Sequence, residues 1–328
     1  MSPGGSGYAQ IMDWLTGLPV VGPLVARLMR THAYRAFDHF NESSANRLAG
    51  AVTFFGFLAM FPMLTLAAAV AAAFLSQDQV STLQHQVSRQ LPGIADSIDL
   101  SALVRNAGTV GVISAFALLF SGLGVVGNLR ESIRAIWSLP EDTGNPILRK
   151  ALDVGVLVGL GVVAAVSIAA SSVGSAAAGW VTQELGLSGT GAGQGFLKAA
   201  GFVVAVLADM LLFAYLLAGL PRLADEFRSN GRRRLLVWGA LLASVGFELL
   251  KLLISSYLSR VAAKSMYGAF GAPIALLLWI NFVFRWFFYC VAWTATAEPG
   301  AAKARACARA RETIEEIEEK DREERQPR

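Results

Sequence analysis

Residues 48–75, LAGAVTFFGFLAMFPMLTLAAAVAAAFL, form an apolar stretch of 28 residues without one charged side chain. A helix rises 1.5 Å per residue, so about 20 residues are needed to cross roughly 30 Å of hydrocarbon. This stretch is therefore long enough to span a membrane, and five more like it follow. The six predicted spans are residues 48–75, 107–127, 154–181, 198–219, 236–257 and 269–293.

The overall composition is typical of a membrane protein. The mean hydropathy is +0.50, and 54% of the residues are hydrophobic while 16% are charged. Soluble domains average about 25% charged residues. The net charge of +4 does not indicate a nucleic-acid partner, because basic residues that flank spans face anionic lipid headgroups. We expect membrane lipids as partners and no nucleic acid.

Basic residues concentrate in alternate connections between the spans. Four lie before the first span, four between the second and third, five between the fourth and fifth, and eight in the C-terminal tail, which makes 21 of 28. The positive-inside rule places these segments in the cytoplasm. We therefore predict an all-α integral membrane bundle of six transmembrane helices with cytoplasmic N- and C-termini.

The chain divides into three parts. Residues 1–46 are a cytoplasmic segment, 47–293 the membrane domain, and 294–328 a charged cytoplasmic tail. Within the first part, Pro23 to Asn46 mixes apolar and basic residues as an interfacial helix does. The outer connection, residues 76–106, has apolar residues at helical spacing and predicts a helical outer loop.

Small residues recur at every fourth position of the third predicted span, with only Val163 interrupting the register. Such a ridge lets another helix approach closely, because packing drives helix association in lipid. Two uses stay open, a contact inside the bundle and the seam of a homo-oligomer. The stripe comprises Gly155, Gly159, Ser167, Ser171, Ser175 and Gly179.

Polar residues at bilayer depth cluster in the last three spans, where charges are costly and often functional. Glu248 and Lys251 share one helix face, as do Asn281 and Arg285. Two acids and two bases balance, so one interpretation is a neutral, paired structural network. The other is a polar cavity for a charged headgroup or ion, in which Arg285 binds the anion bidentately. The candidate site residues are Asp209, Glu248, Lys251, Asn281 and Arg285.

Motifs for enzyme chemistry are missing from the sequence. His32, His39 and His85 show no metal-binding spacing, and the sequence has neither a nucleophile elbow nor an ATP-binding loop. We therefore predict no catalytic residue, no metal and no cofactor, and expect any transport to be passive or ion-coupled.

Two stretches resemble the YihY/BrkB family. Ala51–Leu64 (AVTFFGFLAMFPML) is similar to its first-span signature, and Phe247–Trp279 is similar to its C-terminal hallmark. That hallmark is an aromatic-Glu-x-x-Lys helix, Tyr-x-Ser, Tyr-Gly-x-x-Gly and Leu-Leu-Trp. Asn128–Trp137 resembles the family's second cytoplasmic connection, and the match covers roughly residues 35–293. The motif positions with structural roles are Phe61, Pro62, Tyr257, Tyr267, Gly268, Gly271 and Trp279.

The resemblance, strongest to the YhjD subgroup, implies a multi-pass protein of the bacterial inner membrane. It links the family to virulence or serum resistance, and the YhjD branch to envelope lipid export. The family once carried the label ribonuclease BN, which the missing metal motifs do not support. Many members end the last span with Gly-Ala-Glu, whereas this chain has Cys290-Val291-Ala292. A role of that glutamate is therefore not transferred.

These observations lead to one main hypothesis and two alternatives. The main hypothesis is a transporter or translocase that moves a lipid-like or anionic amphipathic envelope substrate through a polar groove in spans 4–6. The alternatives are a non-transporting scaffold that maintains the envelope and a membrane-tethered ribonuclease. A groove must be open to water or lipid, whereas a scaffold's polar network should be closed and fully paired.

Overall fold

The computed structural model describes residues 31–74, 107–139, 147, 150–163, 191–219, 233–257, 271–297 and 307. These residues are almost entirely helical, and none of them lies in a strand. Residues 150–163 form a helical segment between α3 and α4. The helices with described bounds are α1 (His32–Glu42), α2 (Ala45–Phe74), α3 (Ala107–Ile136), α4 (Gly191–Ala218), α5 (Arg233–Tyr257) and α6 (Gly271–Ala295).

Helices α2 to α6 are each long and apolar enough to cross a membrane. The prediction of an all-α integral membrane bundle is therefore confirmed. The third predicted span, residues 154–181, begins within the helical segment 150–163, and the rest of it lies outside the described residues. The count of six spans stays a prediction for this reason. The predicted helical outer loop and most of the tail also lie outside the described residues.

Helix α1 is shorter than the interfacial helix predicted for Pro23 to Asn46. It begins after Thr31, whose side chain accepts a hydrogen bond from the Tyr34 amide at 3.3 Å. It ends at Glu42, because Ser43 Oγ donates back to the His39 carbonyl at 2.8 Å and Ser44 adopts a left-handed φ of 56°. The prediction that one helix runs through Asn46 was wrong, because this serine turn separates α1 from α2.

Helix α3 is longer than the predicted second span, residues 107–127. The segment Asn128–Trp137, interpreted as a cytoplasmic connection, continues the helix as far as Ile136. Leu129, Ile133 and Ile136 are buried at helical spacing, so the extra turns have an apolar face to pack. The connection therefore begins about two turns later than predicted.

The buried core lies at one end of the bundle, which we call the α1 end. It combines the start of α2 with the ends of α3, α4 and α6, and its largest fully buried side chains include Phe287, Phe288 and Ile133. Helix α6 is central, since it contacts α1, α2, α3 and α5. The α1 end carries Arg35 and Arg233, so the positive-inside rule predicts that it faces the cytoplasm.

Candidate functional site

Helices α5 and α6 run antiparallel and are joined by two indole hydrogen bonds. Trp279 Nε1 donates to the Leu250 carbonyl at 3.3 Å, and Trp286 Nε1 donates to the Leu242 carbonyl at 3.2 Å. The two tryptophans are seven residues apart, so they occupy the same face of α6. Inside a membrane, such bonds also provide partners for polar side-chain groups that lipid cannot solvate.

Gly246 permits the close approach of Trp286 to α5. A Cβ atom at Gly246 would collide with the indole ring of Trp286. The absence of a side chain at this position therefore fixes where the two helices cross. It also opens one wall of the groove described next.

A groove of about 610 Å³ runs along the α5–α6 pair and ends against α1. On each of the two helices, the lining residues are spaced i, i+3, i+4 and i+7. They therefore form one continuous face of α5 and one of α6. The lining is mostly aliphatic and aromatic. Asn46 adds an amide group to it, and Arg285 adds a positive charge. The lining residues are Phe37, Phe40, Asn46, Gly246, Leu249, Leu250, Leu253, Phe282, Arg285, Trp286 and Tyr289.

Arg285 is exposed in this groove and lies near the middle of the membrane span Pro273–Ala295. It forms no hydrogen bond or ion pair with any residue that the structure describes. A charge at this depth is costly without a partner. The guanidinium is thus available to an anion that enters the groove, and its planar donors suit a phosphate or carboxylate.

Lys251 bridges two carboxylates between α4 and α5. Its Nζ lies 2.6 Å from Glu248 Oε1 and 3.0 Å from Asp209 Oδ2. The carboxylate side chains are only 17% exposed at Asp209 and 10% exposed at Glu248, while that of Lys251 is 38% exposed. This triad is closed and paired, as a contact that fixes helix register would be.

The triad contacts a row of packed aromatic rings that extends across the bundle. Lys251 Nζ lies 4.8 Å from the centroid of Phe247, a cation–π distance. Phe247 packs edge-on against Phe213 at 5.6 Å, and Phe213 stacks on Phe287 at 5.6 Å. Because these rings belong to α4, α5 and α6, the triad is coupled by packing to the core at the α1 end.

Asn281 has a separate partner on α2. Its Nδ2 donates to Thr53 Oγ1 at 3.1 Å, and Thr53 donates in turn to the Ala49 carbonyl at 2.6 Å. This chain of bonds joins α6 to α2 near the middle of the membrane. It involves neither Arg285 nor the triad.

The five candidate residues therefore do not form one charge-balanced network. Glu248 lies two residues beyond Gly246, a rotation of about 200° that places it on the opposite face of α5 from the groove. The structure brings Asp209, Glu248 and Lys251 together and leaves Arg285 in the groove. Of the two interpretations left open, a single paired network of all four charges does not match the structure, because the thickness of α5 separates Arg285 from the other three.

The motif positions lie in several parts of the bundle. Phe61 is exposed on α2 and packs edge-on against Phe57 at 5.3 Å, while Pro62 is accommodated within the continuous helix. Tyr257 is the last residue of α5 and Gly271 the first of α6. Tyr267 and Gly268 lie outside the described residues.

The small-residue stripe is described only at its start. A Cβ atom at Gly159 would collide with the Tyr215 hydroxyl, which donates to the Val156 carbonyl at 3.3 Å. Gly159 therefore faces α4, whereas a Cβ at Gly155 would meet open space. The remaining stripe residues, Ser167, Ser171, Ser175 and Gly179, lie outside the described residues.

Sequence reasoning missed a buried ion pair. Arg130 Nη2 lies 3.3 Å from Asp153 Oδ2, with side-chain exposures of 6% and 5%. The pair joins the end of α3 to the helical segment 150–163. In the topology prediction Arg130 was counted only as a basic residue of a cytoplasmic connection. Its burial was not predicted, because the extension of α3 beyond residue 127 was not recognised.

Two histidines attach α1 to the bundle, a role that metal-motif reasoning could not find. His32 Nε2 bonds the Trp293 carbonyl at 2.9 Å, and His39 Nε2 bonds the Ile136 carbonyl at 2.7 Å. Both carbonyls lie at helix C-termini, where acceptors are left without helical partners. Burial lowers the pKa of His32, and the nearby charge of Arg35 lowers it further against the effect of the Trp293 bond. The seven-residue spacing of the two histidines was the sequence feature that could have indicated this role.

Comparison with known proteins gives a family match over most of the chain. The family model described as "Virulence factor BrkB" matches residues 36–313. An uncharacterized protein of Dickeya dadantii (strain 3937) is 30% identical over 303 residues, which is 89% of each chain. Inner membrane protein YhjD of Escherichia coli (strain K12) is 29% identical over 279 residues, 81% of each chain.

More distant relatives are longer proteins. A UPF0761 membrane protein of Methylibium petroleiphilum is 27% identical over 251 residues, which is 74% of this chain and 56% of the relative. No solved structure matches the chain.

Proposed function

Because this chain belongs to the BrkB virulence-factor family of multi-pass bacterial inner-membrane proteins, we propose that it moves a lipid-like, anionic amphipathic envelope substrate along the groove between α5 and α6. A membrane protein that handles such a substrate needs an apolar surface for its chains and a cation for its headgroup. The proposal assigns both to the groove that contains Arg285.

One observation carries the proposal: Arg285 is exposed in an apolar groove and has no partner among the residues that the structure describes. A structural arginine at bilayer depth is expected to pair with a carboxylate or a carbonyl. Arg285 instead faces the space beside Phe282 and Leu249, two exposed apolar side chains. An anionic headgroup would complete the hydrogen bonds of the guanidinium while the acyl chain lies along these apolar walls.

The groove also has a suitable position in the bundle. It extends from Phe37 and Asn46 at the α1 end to Leu253 in the other half of α5. A lipid could enter sideways from the surrounding leaflet, because the wall at Phe282 is open. Volumes of about 300–1,000 Å³ are usual for ligand sites, and the groove falls within that range.

The scaffold interpretation fits the triad better than it fits Arg285. Asp209, Lys251 and Glu248 satisfy one another between α4 and α5, as residues that fix helix register do. We therefore assign the triad to the stability of the transporting bundle. Arg285 is the residue that we assign to the substrate.

Reconstitution tests the proposed function. Purified protein in vesicles should speed the transfer between leaflets of a labelled lipid with an anionic phosphate headgroup, relative to protein-free vesicles and vesicles with an unrelated span protein. A zwitterionic lipid with the same acyl chains should move more slowly. Equal rates for protein and control vesicles with both lipids would contradict the proposal.

A further inference from the structure

A second cleft, distinct from the Arg285 groove, opens at the α1 end of the α5–α6 pair. Its volume is about 420 Å³, and we call it the tryptophan cleft because Trp238 and Trp293 line it. The rest of the lining is apolar apart from His32. The lining residues are His32, Leu235, Trp238, Leu241, Leu242, Val245, Trp293 and Ala297.

The polar groups of the cleft wall are already engaged. His32 Nε2 bonds the Trp293 carbonyl at 2.9 Å, and the two rings contact each other at a tilt of 35° with centroids 4.0 Å apart. Trp238 is 61% exposed, so its ring faces the surroundings of the protein. The cleft thus offers an apolar surface with tryptophan at its edge, which is the composition of a membrane–water interface.

Arg234 precedes Leu235 of the cleft wall and lies one turn of α5 from Trp238. The positions 234, 238, 241, 242 and 245 follow helical i, i+4, i+7 spacing, so Arg234 continues the line of Trp238 towards the start of the helix. Arg234 is exposed and pairs with no residue in the part of the chain that the structure describes. Arg233 is equally exposed, but it lies about 100° around the helix from Arg234.

We propose that the tryptophan cleft binds an anionic phospholipid of the cytoplasmic leaflet, with its phosphate at Arg234 and an acyl chain along Trp238 and Val245. Charge complementarity selects this occupant, because a basic residue lies one turn from Trp238, towards the end of the cleft that the positive-inside rule places at headgroup depth. The opposite end of the cleft remains apolar, as an acyl chain requires.

This site is independent of the proposed transport. The two sites share no lining residue, since the α5 wall of the cleft is formed by positions 235 to 245 and that of the Arg285 groove by positions 246 to 253. The bound lipid would stabilise the position of α1, because His32 both lines the cleft and forms the contact between α1 and α6. We therefore expect a stabilising lipid here rather than a transported one.

The test compares lipid-dependent melting of the purified full-length chain after delipidation in a neutral detergent. Phosphatidylglycerol should raise the Tm of the wild type more than phosphatidylcholine with the same chains. Arg234→Gln should lose more than half of this difference. The matched control, Arg233→Gln, should keep it because that arginine lies off the cleft face. Adding Arg234→Gln to an Arg285→Gln background should still remove the part of the difference that belongs to this cleft, which separates this site from the transport groove.

Four outcomes would overturn the proposal: equal effects of the two lipids, full retention of the difference in Arg234→Gln, an equal loss in Arg233→Gln, or no effect of Arg234→Gln in the Arg285→Gln background. The third would indicate only diffuse surface charge, and the fourth would place the lipid in the other groove. If Arg234→Gln does not fold, Arg234→Lys takes its place. A partial loss is then expected because lysine lacks the planar fork, and no loss would overturn the site.

Discussion

Lys251 of α5 and Asp209 of α4 form an ion pair across the bundle, with an Nζ–Oδ2 distance of 3.0 Å, and Arg285 takes no part in it. The same ammonium also holds Glu248 at 2.6 Å. The charges at bilayer depth therefore belong to two systems with different tasks. The predictions below separate the residues that hold the bundle together from the residue assigned to the substrate.

Double-mutant cycles should find strong coupling between Lys251 and Asp209. Residues that share an ion pair typically show coupling energies of about 0.5–3 kcal/mol, and we expect the lower half because Lys251 is partly exposed. The singles Lys251→Met and Asp209→Asn and their double are compared by unfolding in mixed micelles.

The matched cycle uses Glu248→Gln and Arg285→Gln. Glu248 lies on the opposite face of α5 from the groove that contains Arg285. The effects of the two substitutions on the free energy of unfolding should therefore add within about 0.5 kcal/mol. Strong coupling in this second cycle, or none in the first, would mean that the division into two systems is mistaken.

Gly246→Ala should destabilise the bundle by about 1–3 kcal/mol. A methyl group there collides with the Trp286 indole, and overpacking of this kind forces side chains away from their preferred rotamers. Gly201→Ala is the control, because a Cβ at Gly201 meets nothing within 4 Å. That change should be neutral or stabilising by up to about 1 kcal/mol, since alanine is the better helix former. Equal melting of both variants would count against the α5–α6 contact described here.

The contact between α1 and α6 should weaken in acid. The pKa of His32 is lowered in the folded protein, mainly by burial, so the unfolded chain binds its proton more tightly. The stability that this neutral histidine contributes is thus complete above about pH 6.5 and decreases as the pH falls below that value. Melting curves between pH 7.5 and 5.5 should show this decrease, and His32→Gln should show a smaller one. An identical pH profile in the variant would exclude His32 as the source.

Residues of the outer connections predicted from the sequence and residues at the α1 end should label from opposite sides of the membrane. In a background with Cys307→Ser, a cysteine at Gln84 or Gly189 should react with an impermeant reagent added outside the cell. A cysteine at Glu42, exposed at the α1 end, should react only after the membrane is opened. The native Cys290 is buried and should stay silent. Reversed labelling would refute the cytoplasmic placement of the α1 end.

The membrane helices could be predicted from sequence because each is an apolar run whose length alone is diagnostic. The end of α3 was harder to predict from the sequence. Its last turns carry Arg130 and Arg134, and basic residues after an apolar run usually mark the membrane exit. The helix continues because Ile133 and Ile136 pack in the core and Asp153 neutralises Arg130. That partner lies in a different helical element, which local sequence does not reveal.

The polar residues could be identified from sequence, but their partners could not. Helical spacing correctly paired Glu248 with Lys251, which is a local relationship within one helix. The bond from Lys251 to Asp209 and the separation of Arg285 depend on how α4 and α6 rotate against α5. Packing sets those rotations, notably the fit of Trp286 against Gly246. Charge balance alone was compatible with a single network and could not reveal that Arg285 lies apart from the other three charges.

The most direct test of the account is the transfer of anionic lipid by Arg285→Gln in reconstituted vesicles, measured beside its thermal stability. A hydrogen bond to a charged group contributes about 1.5–3 kcal/mol, so transfer should fall by about 10- to 100-fold. The variant should melt like the wild type, because Arg285 has no partner among the described residues to lose. Arg285→Lys should recover part of the rate, and Arg233→Gln should transfer lipid normally. A stable Arg285→Gln protein that moves anionic lipid at the wild-type rate would contradict the assignment of the groove.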